Sequence, residues 1–344
     1  MLHELPEFEL FLPSSIEETV EILRDHRGKA KVLAGGTDLL GLMKDRVEGP
    51  SMPIPEVLVS IKNVKSLRSI SHTDSESRVG AAATLIEMVN DAGLRERFPG
   101  LVQSAGAVGT NQIRNMGTLG GNLCQRPWCW YFRHPAFDCF KKGGRQCYAI
   151  AGDNSTYFSV YDLGVCVMAH PSDTAPALTS LSAKAEIAGP EGTRHVSLRD
   201  FFLDPRNQRD HVVGDDELLV SVEVPNEGRR SVYLKQRVRN NWDFALASVG
   251  ASAFVEDAAL SSAVMVLGGV APRPHTVEGV DDLLADGLTE AAKVKLRTLL
   301  AENARPLRLN RYKLRIVSAL AVRALEALLQ DSSASTAGRT PARG

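Results

Sequence analysis

All five cysteines of this 344-residue chain fall between positions 124 and 166, in the order Cys124-x4-Cys129-x9-Cys139-x7-Cys147-x18-Cys166. Cysteine confined to one stretch is not a disulfide framework spread through a small secreted fold; it points to a metal site or redox chemistry. Zinc sites use tight C-x2-4-C pairs. Only Cys124 and Cys129 approach that spacing, and no second such pair follows. Four thiolates match the ligand count of a 4Fe–4S or 2Fe–2S cluster, and five cysteines leave one spare. Trp128, Trp130, Tyr131 and Phe132 flank the second cysteine and would keep water from a cluster. Iron–sulfur, zinc, and unliganded or disulfide-bonded cysteines all remain open on spacing alone. His134 and His170 are secondary ligand candidates, although a histidine near cysteines is more often simply hydrogen-bonded.

The second chemical signal is glycine. Lys31-Val32-Leu33 reads as a strand that runs into Ala34-Gly35-Gly36-Thr37-Asp38, and Leu39–Lys44 then reads as a helix. Strand, glycine turn and helix start offer backbone N–H groups to an anion. A second paired glycine, Gly120-Gly121, closes the run from Gly106 through Gly109, Thr110, Asn115, Thr118 and Leu119, and leads to Asn122 and Cys124. One glycine pair usually marks a tight turn and nothing more. Two pairs, each near a threonine, could grip a pyrophosphate from both sides. Neither fits G-x-G-x-x-G or G-x-x-x-x-G-K-[ST], so neither a Rossmann site nor a P-loop is indicated. No H-E-x-x-H or G-x-S-x-G motif is present, which leaves no catalytic residue to nominate.

The bulk properties suit a soluble protein of two or three domains: 44% hydrophobic, 24% charged, formal net charge −1. Near-neutral charge implies no nucleic-acid partner, and no apolar run reaches membrane-span length. The N-terminus lacks a basic segment followed by an apolar one, so a cytoplasmic protein is the default expectation. Export on a partner's signal, giving a periplasmic protein, would leave no mark here.

The remaining sequence supplies elements to hold these residues. Ser15-x-x-Glu18 and Thr84-x-x-Glu87 read as capping boxes opening helices. Gly49–Pro55 reads as a connector. Val57–Ile61, Arg78–Ala83, Lys184–Ala188 and Leu218–Val224 read as strands, with a polar Asp204–Asp216 segment before the last. Asp173 precedes a helix-like run, Ala175–Leu181, and could serve either that helix start or a cofactor hydroxyl. After Pro225–Gly228, three strands (Tyr233–Val238, Phe244–Phe254, Ala263–Gly268) precede three helices near Val280–Ala285, Glu290–Asn303 and Asn310–Leu329. Residues 331–344 are expected to be disordered.

Taken together, these segments resemble the FAD-binding subunit of the molybdenum hydroxylases, the xanthine dehydrogenase family, over nearly the whole chain. The resemblance implies an α+β fold: a two-subdomain FAD-binding domain of vanillyl-alcohol-oxidase type at 1–226 (subdomains about 1–55 and 56–226). A C-terminal domain at 229–330, of a three-stranded sheet and a helical bundle, would follow. It implies FAD contacts from Lys31, Ala34, Gly35, Gly36, Thr37, Asp38 and Leu39 on the first loop. Ala83, Thr84, Gly109, Thr110, Asn115, Thr118, Gly120, Gly121 and Asn122 would follow on the second side, with Asp173 and Lys235 from further on. The cysteine insertion, 124–166, is similar to the one in the periplasmic aldehyde oxidoreductase type, which carries an extra 4Fe–4S cluster. By that likeness Cys129, Cys139, Cys147 and Cys166 are the ligands and Cys124 is spare; His134 is the alternative fourth ligand should one of the four cysteines go unused.

The expected function is electron transfer. A molybdenum-cofactor large subunit would oxidise the substrate, a 2Fe–2S small subunit would relay electrons, and FAD on this chain would deliver them to an external acceptor. A stand-alone flavin oxidase of a small alcohol or amine, and a zinc-stabilised nucleotide-binding module, are the alternatives.

Overall fold

A computed structural model describes residues 4–330; the tail expected to be disordered, 331–344, lies outside the described residues. The chain builds three sheets, consistent with the mixed α and β class expected.

The first is a small parallel sheet in which Val57–Ser60 lies between Glu9–Phe11 and Ala30–Leu33. Helix Ile16–Asp25 leads into it. Ser15 caps that helix, its hydroxyl accepting from the Glu18 N–H at 3.1 Å. The reciprocal half of the expected capping box is displaced by one residue: the Glu18 carboxylate accepts from Ser14, backbone and hydroxyl, not from Ser15.

The second sheet is antiparallel, in the order Ile70–His72, Glu76–Gly80, Leu218–Pro225, Lys184–Gly189, Gly192–Ser197. Its central strand, Leu218–Pro225, is nearly continuously apolar because most of it is buried. The strand expected over Arg78–Ala83 ends at Gly80, where a Cβ would run into the Leu67 carbonyl. Thr84 then opens helix Leu85–Asn90 with a complete capping box to Glu87, a device worth about 1 kcal/mol.

The third sheet contains Arg230–Gln236, Ala247–Glu256 and Ala259–Gly268, the three strands expected, and adds His275–Thr276 at its edge. Helix Lys313–Leu329 packs on this sheet. Helix Thr174–Ser180 also packs on it, seated through Pro176 against Gly250 and Gly268, where any side chain would collide with the proline. This close seating matters for the site, because it sets Asp173 beside strand Arg230–Gln236.

Candidate functional site

The strand Ala30–Leu33 delivers the first glycine loop to a cavity of about 460 Å³. Lys31, Ala34, Gly35, Gly36, Thr37, Asp38 and Leu39 all line it, together with Thr118, Gly120, Gly121 and Cys124. A second cavity, about 100 Å³, is lined by Thr37, Asp38, Gly109, Thr118, Gly121, Asn122 and Asp173. Thr37, Asp38, Thr118, Gly121 and Gln125 belong to both. The two glycine loops therefore stand at the neck between two hollows.

The loops are built differently. In the first, the backbone N–H groups of Gly35, Gly36, Thr37, Asp38 and Leu39 find no acceptor among the described residues. Gly36 supports this run with φ +72°, a left-handed conformation that favours glycine. Consecutive unpaired N–H groups at a helix start form an anion nest. In the second loop the donors are spent. Leu119 and Gly120 donate to the carbonyls of Ala83 and Ala81, and Gly121 donates to the Thr118 hydroxyl at 3.1 Å. Gly120 is needed for packing, since a Cβ there would meet Ala81 at 2.9 Å, whereas one at Gly121 would meet only Thr118 Oγ1 at 3.1 Å. The loops also touch: a Cβ at Gly35 would run into the Met116 carbonyl.

Four expected contacts sit behind this surface. Ala83 is fully buried, Thr84 is used as a helix cap, Thr110 caps helix Asn111–Met116, and Asn115 lies within that helix. Among the described residues, none of them lines either cavity. Asn122 reaches the small cavity, its side-chain oxygen accepting from the Ser172 and Thr174 hydroxyls at 2.6 and 2.7 Å. Asp173 does not cap its helix. Its carboxylate accepts instead from Tyr233 Oη at 2.6 Å and Lys235 Nζ at 2.7 Å. Lys235 thus stands behind Asp173 and is not part of either wall. Burial, with Asp173 alongside, pushes the Tyr233 phenol well above its usual range.

Sequence reasoning missed several lining residues. Trp128, Trp242 and Phe244 close the small cavity, with Trp242 at φ 53° and largely exposed. Gln208, Arg209, Asp210, His211 and Asp215 floor the large one. Lys31 pairs with Asp215 at 2.9 Å, and burial lowers the His211 pKa to about 4. The signal available for this floor was the length and dense charge of the Asp204–Asp216 connector, which is long for a structureless link.

Cys129, Cys139 and Cys166 belong to a buried cluster with Leu42, Phe132, Ala149, Phe158 and Met168, and Cys147 packs against it. Burial pushes the Cys129 thiol up to about 12 against the pull of the Phe132 and Tyr131 N–H groups. Burial likewise raises Cys139 against the N–H groups of Lys141 and Lys142. Cys147 and Cys166 share a hydrogen bond that lowers the first and raises the second. The N–H groups of Ala149, Ile150 and Val167 favour the Cys147 thiolate, and that of Met168 favours the Cys166 thiolate. Cys124 lies apart on the large cavity; burial alone raises it, to about 12. Among the described residues no three His, Cys, Asp or Glu side chains are placed to hold a metal ion. The expected four-thiolate cage at Cys129, Cys139, Cys147 and Cys166 is therefore not preformed, because these thiols pack as small apolar groups. His134 is exposed and its Nδ1 accepts from the Ala136 N–H.

Residues 6–227 match the family described as FAD binding domain in molybdopterin dehydrogenase. The chain belongs to this family. A relative from Escherichia coli K12, the aldehyde oxidoreductase FAD-binding subunit, is 34% identical over 89% of this chain and 92% of its own length. The nicotinate dehydrogenase FAD-subunit of Eubacterium barkeri is 26% identical over 77% of this chain and 75% of its own. Among solved structures, CO dehydrogenase from Oligotropha carboxidovorans superposes with TM-score 0.75 at 22% identity, covering 95% of this chain and 99% of that one. Quinoline 2-oxidoreductase from Pseudomonas putida 86 gives TM-score 0.72 at 23% identity, over 95% and 98%. For this member of the molybdopterin dehydrogenase FAD-binding family, the structural matches establish the fold. The cavity neck fits the family's ligand, because the five N–H groups of the first loop await an anion midway between two hollows.

Proposed function

We propose that this chain is the FAD-carrying electron-transfer subunit of a heteromeric molybdenum hydroxylase of aldehyde oxidoreductase type. Its partners would be a molybdenum-cofactor large subunit and a 2Fe–2S small subunit. The observation that carries the reading is the anion nest of Gly35–Leu39 at the neck shared by two cavities. The 34% identity over nearly the whole length to an aldehyde oxidoreductase FAD-binding subunit supports the substrate type.

Bound FAD supplies a carrier that accepts electrons from one partner and passes them to another. The chain's own residues do the rest. Gly35–Leu39 would hold the pyrophosphate by backbone N–H, and Gly121, with no Cβ, would leave room beside it. The two cavities would receive the remainder of the dinucleotide. In the small one Asn122, its oxygen held by Ser172 and Thr174, would present its amide N–H groups, and Lys235 neutralises the charge of the neighbouring Asp173 from behind. Trp128, Trp242 and Phe244 exclude water from the small cavity. We further propose that residues 1–226 carry this site and 229–330 form the domain that closes it.

The cysteine pocket is read as a 4Fe–4S site held by Cys129, Cys139, Cys147 and Cys166. Backbone N–H groups favour the thiolate at each of these four and at none of the atoms around Cys124. Such groups stabilise thiolate ligands and tune cluster potentials.

The test is purification of the chain with and without its partners. A flavin spectrum with an iron–sulfur shoulder, and aldehyde turnover only in the complex, is the expected result. Aldehyde oxidation by the isolated chain at the rate of the complex would overturn the electron-transfer assignment, and stoichiometric zinc would overturn the cluster.

A further inference from the structure

Two carboxylates stand between the cavities and the cysteine insertion, facing both. Asp38 lies on the first glycine loop and lines both cavities. Its carboxylate accepts from the Arg126 backbone N–H at 2.9 Å and from Arg133 Nη2 at 2.6 Å. Arg133 closes the helical turn that begins after Cys129, and its guanidinium lies 4.5 Å over the Trp128 ring, which walls the small cavity. Asp210 lies in the floor of the large cavity, its side chain 2% exposed. It pairs with Arg126 Nη1 at 2.6 Å and with Lys141 Nζ at 2.7 Å. Lys141 also donates to the carbonyls of Asn207 and Arg209, and its own carbonyl accepts from Arg126 Nη2.

Three cations of the insertion, Arg126, Arg133 and Lys141, are thus held by two anions of the nucleotide cavity. Arg126 and Lys141 lie within three residues of Cys129 and Cys139 respectively. Buried ion pairs demand full geometry, since a charge left without its partner is costly. A ligand that fixes the Asp38 loop and the 207–215 floor must then also fix the segments that present Cys129 and Cys139.

We propose that Asp38 and Asp210 are positioning residues through which occupancy of the cavities orders the cysteine insertion. The inference rests on reading the cavities as the FAD site, but not on the identity of any metal. Because coupling between two sites is reciprocal, a filled cysteine pocket tightens FAD by the same factor with which FAD orders the pocket.

The test is hydrogen–deuterium exchange on the full chain, with and without saturating FAD. In the wild type FAD is expected to slow exchange at Gly35–Leu39 and, by about tenfold, through Arg126–Cys147, a factor within the usual range of allosteric coupling. In Arg133→Met and Lys141→Met, which break the same pairs from the insertion side and line neither cavity, the protection of Gly35–Leu39 by FAD is expected to persist while the effect on Arg126–Cys147 largely disappears. Arg133 is partly exposed, so Arg133→Met carries the test if Lys141→Met does not fold. Wild-type protein in which FAD protects Gly35–Leu39 but leaves Arg126–Cys147 unchanged overturns the proposal, as does a full effect in Arg133→Met. Absence of protection at Gly35–Leu39 in the wild type overturns the cavity reading itself, and the two failures are thereby told apart.

Discussion

The nucleotide neck and the cysteine pocket lie side by side and are made from different material. The neck is built from backbone: free N–H groups on one loop, glycines where side chains would collide, and a fold that holds both loops together. It is ready for its ligand. The pocket is built from side chains contributed by four segments, and its thiols are raised or paired with one another. A backbone site is organised by folding alone, whereas a thiol site is completed by ligation, when binding energy becomes local folding energy.

That contrast can be broken first at the cysteines. Single serine replacements at Cys129, Cys139, Cys147 and Cys166 are each expected to lose all of about four irons, the complement of a four-thiolate cluster. Cys124→Ser should keep it. Iron and acid-labile sulfide on anaerobically purified protein decide the matter, and iron loss confined to Cys124→Ser would reverse the assignment.

At the neck, Gly121→Val places a side chain in both cavities with only Thr118 Oγ1 nearby. FAD retention after gel filtration should fall by at least tenfold with little change in melting temperature. Gly35→Val should instead lose stability as well, by about 3 kcal/mol or more, the range of severe overpacking. Equal stability of the two variants would dissolve the distinction between a ligand-facing and a packing glycine.

Lys235→Met removes the cation behind Asp173 and leaves a buried carboxylate with only Tyr233. A loss of about 3 kcal/mol is expected for a broken buried pair, read by urea unfolding of the flavin-free chain. Asp173→Asn combined with Lys235→Met should recover part of it, and no recovery would mean that the pair is not the cause.

The smallest effect is at Lys313, fully buried, whose ammonium donates to the carbonyls of Phe158 and Gly269 at 2.9 Å each. Lys313→Met leaves the Gly269 carbonyl without this donor and the Phe158 carbonyl with only Asn310 Nδ2 at 3.3 Å, at a cost of roughly 2 kcal/mol. Phe158 lies between Cys147 and Cys166, so iron retention should fall before FAD retention does. The reverse order would place Lys313 in service of the neck.

What the sequence revealed follows the same division. Local signals were accurate where the structure uses local contacts: the Thr84 capping box, the strand into Gly35-Gly36, and the three C-terminal strands. They misled where a distant partner took the side chain. Asp173 reads as a helix-start acid but is claimed by Tyr233 and Lys235, about 60 residues later. Asn115 and Thr110 belong to a motif that meets the small cavity through Gly109, Ile113 and Gly117 on either side of them, while Thr110 itself is spent on capping helix Asn111–Met116. The Asp204–Asp216 segment shows no periodicity, because its order comes from ion pairs to Arg126 and Lys141 and not from a regular element. His275–Thr276 is too short to leave a pattern.

The seating of Gly35 against the Met116 carbonyl has a bearing on how the protein is made. The two loops are separated by the strands and helices from 39 to 111, so the neck closes only after a long stretch of chain has been drawn in. Contacts of such sequence separation form late and slowly, once the entropy of closing the loop has been met. A nascent chain therefore presents its first nest well before the opposite wall exists. Flavin supply during biosynthesis then favours the closed product by mass action, and riboflavin-starved cells should accumulate this chain chiefly in protease-sensitive form.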